Sequence, residues 1–228
     1  MDIKYFVRTT GEREFNYDLD YTLLVDTEHK PVDSFIEQLA QISEYDAVLM
    51  EDDLILCKDF KNKIEKVISE HPNNIIQFFT QPKEYFTSHM RSHPFTWNQC
   101  TYYPKGIGKR LSKAMISARR IHNFPQNLWS VVENTALQEL NIPFYVYRPC
   151  LVQHNDIKSL INSPGCGVRR DTIYFEDYLN EAGIKYEDAY TPENVTKLYY
   201  IRTAHVKQIE QEFLINQTVN KLDKEGDV

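Results

Sequence analysis

The chain has 228 residues, of which 42% are hydrophobic and 13% aromatic, enough for one sizeable α/β core with a short appendage. Its formal net charge is −7, and the few basic clusters, such as Lys109-Arg110 and Arg119-Arg120, are short and sit among apolar helix positions, so no duplex nucleic-acid binding is expected. The four cysteines, at 57, 100, 150 and 166, have no zinc-ligand spacing and are expected to be free thiols of a reducing, cytoplasmic compartment. No apolar run reaches the length of a transmembrane helix, and the first residues, MDIKYFVRTT, do not read as a signal peptide.

In chain order, residues 3–8 and 21–26 predict strands, the second apolar enough to be buried on both faces. A helix is predicted over 31–43, with Pro31 in its first turn and a stripe of Val32, Phe35, Ile36, Leu39 and Ile42. Residues 46–50 form an apolar strand that runs into Glu51-Asp52-Asp53. A helix over 59–70 follows, then a strand over 74–79. This alternation predicts a mostly parallel sheet flanked by helices.

Residues 80–98 break the pattern. They are aromatic, polar and without periodicity, with Phe86, His89, His93, Phe95 and Trp97, and predict an acceptor-side loop or lid. Beyond them lie a short strand at QCTYYP, helices over about 104–120 and 128–140, and a strand over 142–149 with His154 just past its end. Residues 155–190 read as irregular, with a sharp turn at 163–167. The segment from about 191 reads as a helical appendage whose apolar residues, Val195, Leu198, Ile201, Ile209 and Phe213, would dock on the domain or on a second copy of the chain. The expected organisation is a catalytic domain over 1–190 and an appendage over 191–228.

Two acidic motifs compete for attention. Asp18 and Asp20 imitate the D-x-D-x-T nucleophile loop of aspartyl-phosphate phosphatases, but the strand follows the motif instead of preceding it. Glu51-Asp52-Asp53 is the stronger signal. Three adjacent carboxylates repel one another unless something neutralises them, and α/β sheets place their ligand crevice at strand ends of this kind. Alternation along an extended chain would put Glu51 and Asp53 on one face, where hard oxygens suit a divalent cation. Downstream, His154 is a candidate metal or phosphate contact, Lys158 and Ser159 suit phosphate, and Glu133, at the edge of a helix stripe, is a candidate general base.

Taken in order, DAVLMEDDLILCKDF, IIQFF, TWNQCTYYPKGIGKRLSKAM and NLWSVVENTALQELNIPFYVYRPCLVQHNDIKS resemble a small bacterial or phage-type glycosyltransferase of the GT-A fold. The likeness is to the branch related to lipopolysaccharide glycosyltransferases with a Glu-Asp-Asp motif, and it covers roughly residues 2–180. The resemblance implies a metal-dependent transfer of sugar from a nucleotide-sugar donor, a UDP-sugar first among them, to a hydroxyl acceptor, with inversion expected. It implies Mn²⁺ or Mg²⁺ held by Glu51, Asp53 and His154, a nucleotide pocket bordered by Arg8, Thr9, Asp52 and Lys158, and Glu133 as base. Where the family carries an acidic pair at the base position, this chain carries Glu133-Asn134. Two alternatives stay open: a nucleotidyl or phosphoryl transferase on a similar sheet, against which the scarcity of glycine near the N-terminus counts, and a catalytically degenerate binding module.

Overall fold

The computed structural model describes residues 2–79, 99–155 and 172–225, and the chain separates into two compact units, Met1–Glu176 and Asp177–Val228. The first unit is α/β. It is built on a six-stranded sheet of β1 (Ile3–Thr9), β2 (Tyr21–Val25), β3 (Asp46–Glu51), β5 (Ile75–Gln77), β6 (Cys100–Tyr103) and β7 (Phe144–Val146), in the order β2-β1-β3-β6-β5-β7. Only β6 runs against its neighbours; β1 pairs in parallel with β2 and β3, and β5 with β7. Two further strands, β4 (Leu54–Leu56) and β8 (Val152–His154), form a separate antiparallel pair.

Alternation along β1 explains why helices cover both faces. Phe6 packs with Leu49, Tyr103 and the apolar stripes of α1 (Pro31–Ile42), α3 (Ile107–His122) and α4 (Trp129–Glu139). On the neighbouring position, Tyr5 donates a hydrogen bond to Glu65 of α2 (Phe60–Glu70) at 3.1 Å. The predicted stripe of α1 is buried at all five positions, Val32, Phe35, Ile36, Leu39 and Ile42. Its first turn begins at Pro31, and its free N–H groups are met by the Gln126 side chain, which accepts from Val32 and Asp33 at 3.1 and 3.3 Å. α3 approaches α1 closely because residue 108 is glycine; a Cβ there would lie 2.1 Å from the Leu39 carbonyl oxygen.

Several expectations need correction. β2 is an edge strand with only Leu24 buried, so its apolar run does not mark a two-sided interior position; Leu23 and Val25 stay about half exposed at 49% each. His154 lies past the end of β7 as expected, but as the last residue of an unpredicted strand, β8, opposite Leu54. The stretch after 172 is less irregular than predicted, because it contains α5 (Glu176–Ala182) and a 3₁₀ turn at Tyr186–Asp188. Cys57, Cys100 and Cys150 are buried free thiols, as expected. Residues 80–98, Lys158, Ser159, the 163–167 turn and Cys166 lie outside the described residues.

The second unit consists of the rest of α5, the 3₁₀ turn and the long α6 (Pro192–Glu225). Within it Leu198 is fully buried and Lys197 donates to the Ala182 carbonyl at 2.6 Å; Val195 and Ile201 are half-buried, and the side chains of Ile209 and Phe213 lie outside the described ones. Among the described residues no helix is long and apolar enough to cross a membrane.

Candidate active site at the end of β3

The connection order of the sheet locates a crevice. From β1 the chain steps to β2 on one side and then returns to place β3 on the other, so the sheet switches direction between β1 and β3. Ligands of open α/β sheets gather outside the carboxyl ends of the strands at such a switch. Here those ends are Arg8-Thr9 and Glu51, paired in register, and the acidic triplet turns away directly beyond. Thr9 closes the gap, donating from its hydroxyl to Asp52 Oδ2 at 2.6 Å. The same Thr9 oxygen accepts the Gly11 N–H at 2.9 Å, in a tight turn where Gly11 adopts a φ of 81° that side-chain-bearing residues rarely take.

Asp52 and Asp53 belong to a turn and not to the strand, so the alternation expected for Glu51 and Asp53 does not extend to Asp53. Glu51 pairs with one arginine, and Asp52 and Asp53 share another. Glu51 Oε1 lies 3.9 Å from Arg8 Nη1. Arg13, on the loop between β1 and β2, places Nη1 at 2.6 Å from Asp53 Oδ2 and 3.2 Å from Asp52 Oδ1. His154 Nε2 is 3.2 Å from the same Asp53 oxygen. Tyr17 pins the turn at both ends, donating to the Glu51 carbonyl at 2.8 Å and accepting from the Leu54 N–H at 3.0 Å.

The β4–β8 pair delivers His154. Leu54, next to the triplet, sits opposite His154 in the ladder, and the Asn155 N–H donates to the Asp53 carbonyl at 2.7 Å. Gln153 locks β8 from behind: its amide oxygen accepts from the N–H groups of His154 and Thr172, and its amide nitrogen donates to the Thr172 carbonyl. His154 and Asp53, both expected as ligands of a cation, are thus brought together, through a strand pairing instead of a loop.

The electrostatics follow from burial and pairing. Burial alone would raise the Asp53 carboxyl, but the His154 hydrogen bond and the His154 and Arg13 charges outweigh it and hold Asp53 below the usual carboxylate range. Asp52 goes the other way: burial and the Asp53 charge raise it against the pull of the Thr9 hydroxyl and Arg13. Asp53 Oδ1 is buried and makes no hydrogen bond among the described residues, so it keeps lone pairs available to a ligand. The donor types, two aspartate carboxylates and an imidazole, are ones that a hard divalent cation accepts. Among the described residues no group of three or more histidine, cysteine, aspartate or glutamate side chains is drawn together as a metal cluster; with Arg13 between them, Asp52 and Asp53 face the guanidinium.

Arg8 and Glu133 fall elsewhere than at an open rim. Burial pulls the Arg8 guanidinium below its ordinary value, while Glu51, Tyr103 and Glu133 restore part of its charge preference. Its guanidinium packs against the adjacent rings of Phe35 and Trp129, at 4.6 and 4.8 Å, and donates from Nε to Gln38 Oε1 at 2.7 Å. Glu133 is wholly buried and accepts a 2.7 Å hydrogen bond from the Tyr103 hydroxyl. The helix-edge position expected for Glu133 is therefore an interior one, and its charge faces Arg8. Glu176, another carboxylate downstream of His154, pairs with Lys63 at 2.7 Å. Asp18 and Asp20, the imitation phosphatase motif, are exposed.

Sequence reasoning missed Arg13 and Tyr17, passed over in the polar stretch TTGEREFNY. The available signal was topological: a loop leaving β1 at its carboxyl end opens on the same side of a parallel sheet as the triplet leaving β3. No protein-family model matches the chain, and a search of curated proteins finds no matching sequence.

Proposed function

We propose that this protein is a metal-dependent glycosyltransferase of the GT-A type, which moves a sugar from a nucleotide-sugar donor to a hydroxyl acceptor. The observation that carries this reading is the acidic turn Glu51-Asp52-Asp53 at the switch point between β1 and β3, with His154 brought to 3.2 Å from Asp53 by a separate strand pair. Asp53, Asp52 and His154 would hold Mn²⁺ or Mg²⁺ there. When bound, such a cation supplies positive charge to the donor's diphosphate, in the ground state and as it departs.

The chain's own residues set the rest. Thr9 and Tyr17 hold the turn rigid, so its carboxylates need little reorganisation when a donor arrives. Arg8 and Thr9 end the strand that borders the nucleotide side of the crevice, and the enclosed Arg8 favours a part in shaping that border over direct phosphate contact. Glu133 enters the proposal through resemblance as the base. A base must reach the acceptor proton, and the burial of Glu133 favours a positioning part, holding Arg8 in place. That same burial is what favours the second reading, a degenerate module that binds nucleotide sugars without transferring them.

The test is turnover of a panel of nucleotide sugars with Mn²⁺, with and without simple glycoside acceptors. Release of nucleoside diphosphate that depends on the cation supports the transferase. Nucleoside-diphosphate binding without turnover on any donor selects the binding module, and neither binding nor turnover rejects both.

A further inference from the structure

We propose that the Arg13 guanidinium occupies the cation-binding point of the acidic turn and competes with a divalent cation for it. The inference rests on the cation-binding part of the proposed function and adds a built-in rival for that site. Arg13 Nη1 stands 2.6 Å from Asp53 Oδ2 and 3.2 Å from Asp52 Oδ1, and that Asp53 oxygen is also the one His154 Nε2 approaches to 3.2 Å. A guanidinium nitrogen at this point and a hard cation cannot share these oxygens, since both carry positive charge and both need the same lone pairs.

Three features make exchange workable. Neighbouring carboxylates repel each other, and Arg13, within 3.2 Å of Asp52 and 2.6 Å of Asp53, offsets part of that repulsion without an ion. Asp53 Oδ1 is buried and accepts no hydrogen bond among the described residues, which leaves it to an incoming ion while Oδ2 is still engaged by Arg13. Arg13 is carried by the loop between β1 and β2 and by no helix or strand, whereas the aspartates are pinned by Thr9, Tyr17 and the β4–β8 ladder. Withdrawal of Arg13 therefore breaks no sheet hydrogen bond. The cation has to displace a charge-assisted pair on entry, and its affinity is set below what Asp52, Asp53 and His154 would otherwise give.

The experiment titrates the full chain with Mn²⁺ alone, following free Mn²⁺ by electron paramagnetic resonance, for the parent, Arg13→Gln and Arg13→Lys. Arg13→Gln is expected to bind Mn²⁺ at least about tenfold tighter than the parent, because one positive charge leaves the immediate neighbourhood of the ion. Arg13→Lys keeps the charge and is expected to stay close to the parent. Equal or weaker binding by Arg13→Gln overturns the proposal and leaves the cation site of the proposed function standing. Absence of Mn²⁺ binding in all three proteins overturns both together. Should Arg13→Gln fail to fold alone, a cooperative melting transition regained on adding Mn²⁺ supports the proposal, and no recovery overturns it.

Discussion

The Tyr17 hydroxyl donates to the Glu51 carbonyl while accepting the Leu54 N–H, so one phenol spans the acidic turn from the last residue of β3 to the first of β4. Tyr17→Phe keeps the ring and removes the bridge, leaving the Leu54 N–H buried without that acceptor. Unsatisfied buried groups cost about 1–3 kcal/mol, so urea unfolding should show a loss in that range. Nucleotide binding should weaken as well, because the turn loses its template. A variant as stable as the parent would mean that Tyr17 does not hold the turn.

Glu133 and Tyr103 make a second testable pair. Arg8 is enclosed by aromatic rings and depends on Glu133 and Glu51 for counter-charge. Glu133→Gln should therefore cost about 3 kcal/mol, as expected when one partner leaves a buried charge pair. A double-mutant cycle with Tyr103→Phe should show coupling of roughly 1 kcal/mol through their 2.7 Å hydrogen bond. If Glu133→Gln instead unfolds at the parent's urea midpoint while transfer collapses, Glu133 is acting as the base and not as a support.

Asp53 also holds its surroundings together. Relief of repulsion within the triplet would by itself keep Asp53→Ala stable, yet the carboxylate is the shared partner of Arg13 and His154. Removing it strands buried positive charge, so Asp53→Ala should lose about 3 kcal/mol, and Asp53→Asn, which keeps the shape and a carbonyl oxygen, should lose less. Thermal melts of the two variants side by side give the ordering; equal melting temperatures would contradict it.

How much was legible follows from the range of each interaction. The α1 stripe needed only 3.6-residue periodicity, and all five of its apolar residues are buried. The triplet was visible because an apolar strand runs straight into it. β8 is three residues long and has no readable period; its existence depends on pairing with β4, about a hundred residues earlier in the chain. β2 misled because an apolar run does not record whether a further strand pairs beyond it, and here none of the described strands does. Arg13 was missed and Glu133 misplaced for the same reason: which charge meets which is decided by long-range packing, and neither local composition nor spacing carries it.

Alkaline pH should unfold the protein early. Burial raises the hydroxyls of Tyr5, Tyr17, Tyr102 and Tyr103, and nearby carboxylates, Glu65, Asp53, Asp46 and Glu133 respectively, add to the shift. A phenol whose folded value lies above its unfolded value of about 10 contributes stability that is complete below that pH and is lost as pH rises toward the folded value. The melting temperature should therefore hold steady near pH 8–9 and fall above about pH 10. Absorbance titration at the phenolate band should show these tyrosines ionising only with unfolding; ionisation of every tyrosine in the native protein would contradict the buried network.

The central claim is that Asp53 anchors a cation-dependent nucleotide site at the end of β3. Isothermal calorimetry with uridine diphosphate, run with Mn²⁺ and with chelator for the parent and for Asp53→Asn, tests it most directly. The account predicts binding by the parent with Mn²⁺, little or none with chelator, and a loss of at least about tenfold in affinity in Asp53→Asn, the scale of one charge-assisted contact. Equal uridine diphosphate binding by the two proteins, or binding by the parent that ignores the cation, would contradict it.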